Sequence, residues 1–357
     1  MTIGSRKLDH LEISTDKKVQ SKVQNGFDDI SFIHRALPEI NIDEVDVKSS
    51  LVSKKIDAPI MIAGMTGGHK KAEIINKNLA LAAEELGIPM GVGSQRAGIE
   101  HKNLVYTYSV ARKAAPSAFI IGNLGMAQFS NDYSIEEAKK AVDMIEADAL
   151  AIHLNALHEA VQPLGDVKFK ACLEAVRKLK EVGVPLIAKE TGAGISMEDA
   201  ALLEKAGVNA IDVGGLGGTS FPAIEHYRIG KKNTLGKLFG DWGIPTAVST
   251  VECSTAVKID VISTGGIRNG LQIAKALALG ATCCGIAMPL LRKSQISSKE
   301  VVKDITRIIE ELKTAMFLVG ALTIDDLRKS NLIITGNTRE WLDLRGIECK
   351  QFANRRR

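Results

Sequence analysis

One pattern recurs along this chain and constrains its fold more than any other. A short apolar run ends in glycine or polar residues, and an amphipathic helical stretch follows. The clearest copy is Val261–Gly270, where an apolar run meets Gly265 and Gly266 before a helix is expected from Leu271. The eight strands predicted in this way are Pro59–Gly64, Pro89–Gly93, Phe119–Gly122, Ala149–Ile152, Pro185–Ala188, Ala210–Val213, Val261–Ser263 and Thr282–Ala287.

These strands are too apolar to face water on either side, which is typical of a parallel sheet covered by helices. Eight similar units within about 230 residues predict an α/β fold, a (β/α)8 TIM barrel. A doubly wound sheet gives the same alternation but rarely needs eight equal units. In a barrel the active site lies at the carboxyl ends of the strands, where the glycines and polar residues of this chain fall.

The chain outside the barrel is interpreted as two additions. Residues 1–55 are predicted to be a short N-terminal extension with barrel-closing segments, because short alternating pieces fall between Pro38 and Ile56. Residues 56–345 are assigned to the barrel and residues 346–357 to a C-terminal tail.

Composition narrows the possible partners. The chain has 46 basic and 42 acidic residues among 357, a net charge of +4, which argues against a nucleic-acid partner. Its apolar runs are strand-sized and its N-terminus lacks a secretory signal, so we expect a cytoplasmic protein with no membrane partner. The five cysteines show no paired framework, and no His or Cys pair has the spacing of metal ligands.

Two predicted strand ends indicate an anionic, planar ligand. Gly265 and Gly266 would let backbone N–H groups approach a phosphate, although such a pair is often only a tight turn. Lys189 at the end of a buried strand needs a ligand or a carboxylate, and Glu190 is the neighbouring alternative. Together they fit flavin mononucleotide (FMN), and further hydrogen-bonding groups around the same mouth are Thr66, Ser94, Asn123 and Thr219.

A second polar stretch runs from His153 to Glu159. Glu159 could bind a hard cation such as Mg²⁺ if substrate oxygens complete the shell, and otherwise it is a solvated loop residue. Arg96, Arg6 and Lys7 could balance a diphosphate. The alternative for Arg6, Lys7 and His10 is a solvated tail.

Seven motifs in matching order, from about Arg6 to Trp341, resemble the archaeal members of the type 2 isopentenyl-diphosphate isomerases. They are Arg6–His10, Met65–Gly68, Gly93–Arg96, Asn123–Gly125, His153–Asn155, Gly217–Thr219 and Thr264–Arg268.

The resemblance implies interconversion of isopentenyl diphosphate and dimethylallyl diphosphate with reduced FMN and Mg²⁺. It implies that NADPH only reduces the flavin, that the flavin rather than a side chain is the acid and base, and that the protein is a homotetramer or homo-octamer. The implied FMN-binding residues are Gly64, Met65, Thr66, Ser94, Asn123, Lys189, Thr219, Gly265, Gly266, Ile267, Arg268, Ala287 and Met288. The implied substrate contacts are Arg6, Lys7, His10, Ser94, Gln95, Arg96, His153, Asn155, His158 and Glu225, with Glu159 as the Mg²⁺ ligand.

This chain departs from the family pattern at His158, where relatives usually carry Gln, and at Gly214, where some carry Ser. Two other functions stay open at this point. Another FMN barrel oxidoreductase, of the 2-hydroxy-acid oxidase type, would need a base and an arginine beside the flavin, and only Arg268 is near. A non-catalytic flavin- or phosphate-binding barrel would not need a second anion site at Arg6 and Lys7.

Overall fold

The computed structural model describes residues 3–230 and 232–355, with side chains from Lys7 onward. Eight parallel strands close into a barrel in the order β7-β8-β1-β2-β3-β4-β5-β6, with helices around it, which confirms the predicted (β/α)8 barrel. All eight predicted strands are present, with bounds that differ by a few residues. They are β1 Ile60–Ile62, β2 Met90–Gly91, β3 Ile120–Gly125, β4 Ala149–His153, β5 Leu186–Lys189, β6 Ala210–Asp212, β7 Asp260–Thr264 and β8 Cys283–Ile286.

The strands are apolar because both of their faces are covered. Every residue of β3 is buried, since alternate side chains face the barrel interior and the surrounding helices. The helices are Ile3–Asp16, Lys70–Leu86, Arg96–Glu100, Tyr106–Ala114, Met126–Phe129, Ile135–Ile145, Ala156–Val161, Cys172–Leu179, Met197–Ala206, Phe221–Ile229, Thr234–Leu238, Thr246–Ala256, Gly270–Ala278, Met288–Ser294, Ser298–Leu318, Ile324–Arg328, Gly336–Leu344 and Lys350–Ala353. Short 3-10 turns are Phe27–Asp29, Ile42–Glu44, Lys102–Leu104 and Lys180–Val182.

A hairpin covers the amino-terminal end of the barrel. Its strands are Ser49–Leu51 and Lys54–Ile56, and Leu51 and Ile56 join the apolar cluster inside the barrel. The hairpin is tied to β7, because the Val52 amide donates to Asp260 Oδ2 at 2.6 Å. The carboxyl ends of the strands lie at the end of the barrel opposite the hairpin.

The chain termini pack against the barrel. The N-terminal helix, Ile3–Asp16, contacts the helices Phe221–Ile229 and Met288–Ser294, and its Leu11 is buried. Ile347 and Phe352 near the other terminus are also buried. The division of the chain at residues 55 and 345 stays a prediction.

Two further features concern the cysteines and the length of the apolar helices. All five cysteines are free, as expected from their lack of a paired framework. In the described part of the chain, no helix is both long and apolar enough to cross a membrane.

A separate antiparallel pair of strands, Ile30–Phe32 with Leu332–Ile334, joins an early and a late part of the sequence beside the barrel.

Candidate active site

A cavity of about 300 Å³ opens at the carboxyl ends of the strands. All thirteen residues that the family resemblance implies for FMN line it, at or after the carboxyl ends of seven of the eight strands. Of the implied substrate and metal residues, those lining it are Lys7, His10, Ser94, Arg96, His153, Asn155, His158 and Glu159. The side chain of Arg6 lies outside the described residues.

The loops after β6 and β7 form a glycine cradle on one side of the cavity. Gly266 has φ +75°, and a Cβ there would collide with the carbonyl oxygen of Gly217. A Cβ on Gly218 would lie 2.7 Å from the amide nitrogen of Gly266, so the two backbones touch without room for side chains. No protein hydrogen bond is recorded for the amides of Gly266 and Ile267 within the described residues. Two N–H donors are thus available to a phosphate.

Arg268 supplies a cation to the same cradle. One guanidinium nitrogen, Nη2, donates to Gln20 Oε1 at 2.6 Å, and burial lowers the Arg268 pKa. No carboxylate pairs with this guanidinium in the part of the chain described. A partly buried cation without a counter-charge, beside unpaired amides, fits the phosphate of FMN.

Lys189 lies at the end of β5, the strand next to β6, whose following loop forms part of that cradle. Its Nζ is 3.2 Å from Asp212 Oδ2 and donates to the carbonyl oxygen of Glu190 at 2.7 Å. The alternative of a salt bridge to the Glu190 side chain is therefore wrong. Lys189 and Asp212 are register partners on adjacent strands, which brings together residues that are far apart in the sequence. The Asp212 carboxylate is buried and also accepts a hydrogen bond from Thr264.

His153, at the end of β4, is held by the side chain of Asn123. Its Nδ1 is 2.7 Å from Asn123 Oδ1, and Asn123 Nδ2 in turn donates to the Val92 carbonyl oxygen at 3.0 Å. Burial, followed by the nearby Lys189 charge, lowers the pKa of His153 to about 3. The ring is therefore neutral near pH 7. Because the amide oxygen only accepts, Nδ1–H is the donor and Nε2 is left as an acceptor.

The N-terminal helix brings Lys7 to the rim formed by the loop after β2. Lys7 Nζ donates to the Ser94 carbonyl oxygen at 2.5 Å and to Tyr108 Oη at 2.7 Å. Tyr108 donates to the same carbonyl at 2.7 Å, and burial raises the pKa of Tyr108, so its hydroxyl stays protonated. Nearby, Arg96 pairs with Glu100 at 2.7 Å. The alternative of a solvated tail is wrong for Lys7.

Glu159 is held by neighbouring groups rather than solvated on all sides. Its Oε1 accepts from Asn155 Nδ2 at 3.1 Å, and its Oε2 accepts from the Asp166 amide at 2.8 Å and from Gln162. Asn155 Oδ1 is buried and has no hydrogen-bond partner among the described residues. A carboxylate beside an unpaired amide oxygen matches the oxygen donors that Mg²⁺ prefers.

A polar cluster at the mouth of the cavity consists of a buried carboxylate, Glu225, and two half-buried imidazoles, those of His10 and His158. Both imidazoles donate from Nε2 to the single oxygen Glu225 Oε1, at 2.7 Å from His10 and 3.2 Å from His158. Arg228 binds the other oxygen, Oε2, at 2.9 and 2.6 Å. Burial alone would raise the pKa of Glu225, but these partners hold it well below the ordinary value. The ring of Phe221 lies 4.7 Å from that of His158.

Two implied substrate contacts do not face the cavity. Glu225 is fully buried behind His10 and His158. Both of its carboxylate oxygens accept hydrogen bonds, one from the two imidazoles and the other from Arg228. Gln95 is also fully buried: its amide donates to the Ala141 carbonyl oxygen at 2.7 Å and accepts from the Asn123 N–H at 2.9 Å. Gln95 therefore positions the end of β3, and its side chain does not line the cavity in this structure.

Several lining residues were not anticipated, and some carried a readable signal. Leu11 and Ser14 were not predicted, but with the predicted Lys7 and His10 they have the spacing of one helix face, and all four line the cavity. Gln162 follows Glu159 by three residues, a spacing that places both on one side of a helical turn. Phe221, which lines the cavity, and Asp212, which lies beneath Lys189, had no such local signal, because only the tertiary fold brings them to the site.

Comparison with known proteins agrees with this geometry. The sequence model of the FMN-dependent dehydrogenases matches residues 124–334. The chain is 51% identical over 354 residues to an isopentenyl-diphosphate delta-isomerase of Methanothermobacter thermautotrophicus, covering 99% of both chains. It is 52% identical to the protein of that name from Thermococcus kodakarensis, covering 98% of this chain and 96% of that one.

Solved structures share the fold at much lower identity. A flavocytochrome b2 variant superposes with a TM-score of 0.66 at 18% identity, covering 90% of this chain and 81% of that one. A mandelate oxidase variant gives a TM-score of 0.61 at 18% identity, covering 92% of both chains. At such identity the likeness shows the fold alone.

Proposed function

The chain belongs to the FMN-dependent dehydrogenase family and, within it, to the isopentenyl-diphosphate delta-isomerases, and from this membership we propose that it interconverts isopentenyl and dimethylallyl diphosphate. The observation that carries the proposal is that one cavity holds two separate groups of anion-binding residues. One group is the glycine cradle with Arg268. The other is Lys7, on the N-terminal helix, with Arg96, in the loop region after β2, and Glu159 lines the same cavity as a carboxylate that could reach a diphosphate through a cation.

We propose that FMN binds with its phosphate at Gly266, Ile267 and Arg268 and its ring system near Lys189. When bound and reduced, FMN supplies an electron-rich face and a proton-carrying nitrogen to a substrate that develops tertiary cation character. Lys189 contributes a positive charge whose position is held by Asp212. His153 and Asn123 border the same space and remain uncharged near neutral pH.

The diphosphate is proposed to bind where the N-terminal helix meets the loop after β2. Lys7 and Arg96 supply cationic donors there, and Arg6 stays a predicted contact. Glu159 and Asn155 would hold Mg²⁺ that also contacts the diphosphate, since Mg²⁺ commonly keeps few protein ligands beside phosphate oxygens. His158, the departure from the usual Gln, lies 13% exposed at the cavity mouth against Phe221.

The hydrocarbon part of the substrate requires a site with few water molecules. Leu11, Met65, Phe221 and Leu291 supply apolar surface to the cavity. Because the N-terminal helix carries Leu11 as well as Lys7, binding of the diphosphate and exclusion of water would be coupled through one element. No side chain is assigned as the acid or base.

Three associated features stay predictions: NADPH as the reductant of the flavin, assembly into a homotetramer or homo-octamer, and a cytoplasmic location. A 2-hydroxy-acid oxidase function has less support. Its substrate carboxylate would need an arginine beside the flavin ring, whereas Arg268 belongs to the phosphate cradle.

The test is an anaerobic assay of the FMN-loaded protein with isopentenyl diphosphate and Mg²⁺, with product identified by NMR. Dimethylallyl diphosphate should form when the flavin is reduced and not when it is oxidised. A parallel sample receives lactate or mandelate with oxidised flavin. Bleaching of the flavin by these acids without formation of dimethylallyl diphosphate in the first assay would favour the oxidase instead.

A further inference from the structure

The cluster of His10, His158 and Glu225 brings together residues from distant parts of the sequence. Its three members come from three elements, between 67 and 215 residues apart in sequence: the N-terminal helix, the helix after β4 and the helix after β6. Their donor atoms, two imidazole nitrogens and one carboxylate oxygen, all lie within 4.8 Å of one another. Such convergence of different elements on one point is typical of a ligand site.

The donor set selects a class of ion. Two imidazoles with one carboxylate form an open three-ligand site of the type that suits zinc and other late transition metals, whereas Mg²⁺ prefers oxygen donors. This donor set therefore differs in kind from that of Glu159 and Asn155.

The distances are close to those that an ion would need. Metal–ligand bonds of about 2.0–2.1 Å in tetrahedral geometry separate two ligand atoms by roughly 3.3 Å. The observed separations between Glu225 Oε1 and the two Nε2 atoms are 2.7 and 3.2 Å. An ion bound in place of the two N–H protons would require the 2.7 Å distance to lengthen by about 0.6 Å and the two Nε2 atoms, which lie within 4.8 Å of each other, to reach the same separation of roughly 3.3 Å.

The surroundings hold the ligands in place. Arg228 binds Glu225 Oε2, which leaves Oε1 as the oxygen directed at both histidines. Phe221 packs against the His158 ring at an interplanar angle of 34°. Groups of this kind, which orient the ligands of a metal without touching it, contribute strongly to metal affinity.

We propose that His10, His158 and Glu225 bind a divalent transition metal of the zinc class. The two histidines line the cavity while Glu225 lies behind them, so the remaining coordination position faces the cavity. Because His10 is on the N-terminal helix, the ion ties that helix to the loops after β4 and β6. This site does not depend on the proposed reaction.

The test is equilibrium dialysis of the untagged, FMN-loaded full-length protein against Zn²⁺ in excess Mg²⁺, followed by elemental analysis. The wild type should bind one Zn²⁺ per chain at this cluster. His158→Gln and His10→Gln should each weaken binding by at least the roughly 10–100-fold that loss of an outer-shell partner costs. Retained FMN and an unchanged circular dichroism spectrum show that each variant is folded.

Two control variants locate the ion. His101→Gln removes an exposed histidine outside the cluster, and Glu159→Gln removes the carboxylate of the oxygen-donor site. Both should bind Zn²⁺ like the wild type. The proposal is overturned if the wild type binds no Zn²⁺, if the two cluster variants bind it as tightly as His101→Gln, or if only Glu159→Gln loses it.

Discussion

Lys189 and Asp212 form a buried ion pair across two adjacent strands of the barrel, with Nζ and Oδ2 separated by 3.2 Å. The ammonium group lines the cavity while the carboxylate lies below it at 2% exposure. The carboxylate thus sets both the position of the lysine and the net charge presented to a bound ligand.

Asp212→Asn should change the reduction potential of bound FMN. Removing the negative charge leaves the Lys189 ammonium less neutralised, which favours the anionic reduced flavin. We expect the midpoint potential to rise by roughly 30 mV or more, a tenfold change in a two-electron equilibrium. Dye-coupled titration measures it, with the exposed Asp143→Asn as control. An unchanged or lowered potential would remove Asp212 from this role.

Gly266→Ala should abolish FMN binding. Gly266 has φ +75°, and its Cβ would meet the Gly217 carbonyl oxygen, so the cradle must open to accept it. Gly183→Ala is a matched control, because Gly183 has φ +92° but nothing lies within 4 Å of its added Cβ. Fluorescence of FMN released from purified protein measures the cofactor content. Equal FMN content in the two folded variants would contradict the proposed cradle.

Lys7→Gln should weaken diphosphate binding and leave FMN binding unchanged. A charge-assisted hydrogen bond is worth about 1.5–3 kcal/mol, so we expect KM to rise about 10–100-fold. Lys17→Gln, a change at an exposed position beyond the N-terminal helix, is the control. If Lys7→Gln instead lowered kcat alone, with KM as in the wild type, the ammonium would not be a ground-state diphosphate contact.

His153 should make the protein less stable in mild acid. Its pKa is about 3 in the folded state against 6.5 ordinarily, so between these values the unfolded chain binds more protons and stability falls as pH falls. From pH 7 to pH 5 this contributes a loss of about 2 kcal/mol in the free energy of unfolding. Urea denaturation at both pH values should show a smaller loss for His153→Gln than for His101→Gln. Equal losses would mean that His153 is not a buried neutral base.

The barrel could be predicted from the sequence because each strand is a local signal. A run such as Ile120–Gly125 is apolar at every position, and glycine or polar residues mark its end within a few residues. Because the cavity-lining glycines and Lys189 come at those strand ends, their place in the cavity can be predicted once the fold is known. Motif resemblance supplied the identity of the cofactor site, and the curated relatives at about half identity confirm the family.

The rest of the site depends on contacts that no local pattern encodes. The sequence suggested a ligand or a carboxylate as the partner of Lys189 and offered only its chain neighbour Glu190, whereas the register of β5 and β6 supplies Asp212. Glu225 and Gln95 were predicted to contact the substrate. In the structure each is buried and hydrogen-bonded to other groups of the protein, Glu225 to Arg228 and Gln95 to the Ala141 carbonyl oxygen. The absence of ligand spacing in the sequence argued against histidine metal sites, while the fold brings His10 and His158 onto one carboxylate oxygen.

The central claim is that the flavin serves an isomerisation without net electron transfer. Its most direct test is to reduce bound FMN once under anaerobic conditions, remove excess reductant, and count dimethylallyl diphosphate formed per flavin. The account predicts many products per flavin, with the flavin still reduced at the end. One product or fewer per flavin, with the flavin reoxidised in step with it, would contradict the account and indicate a redox reaction.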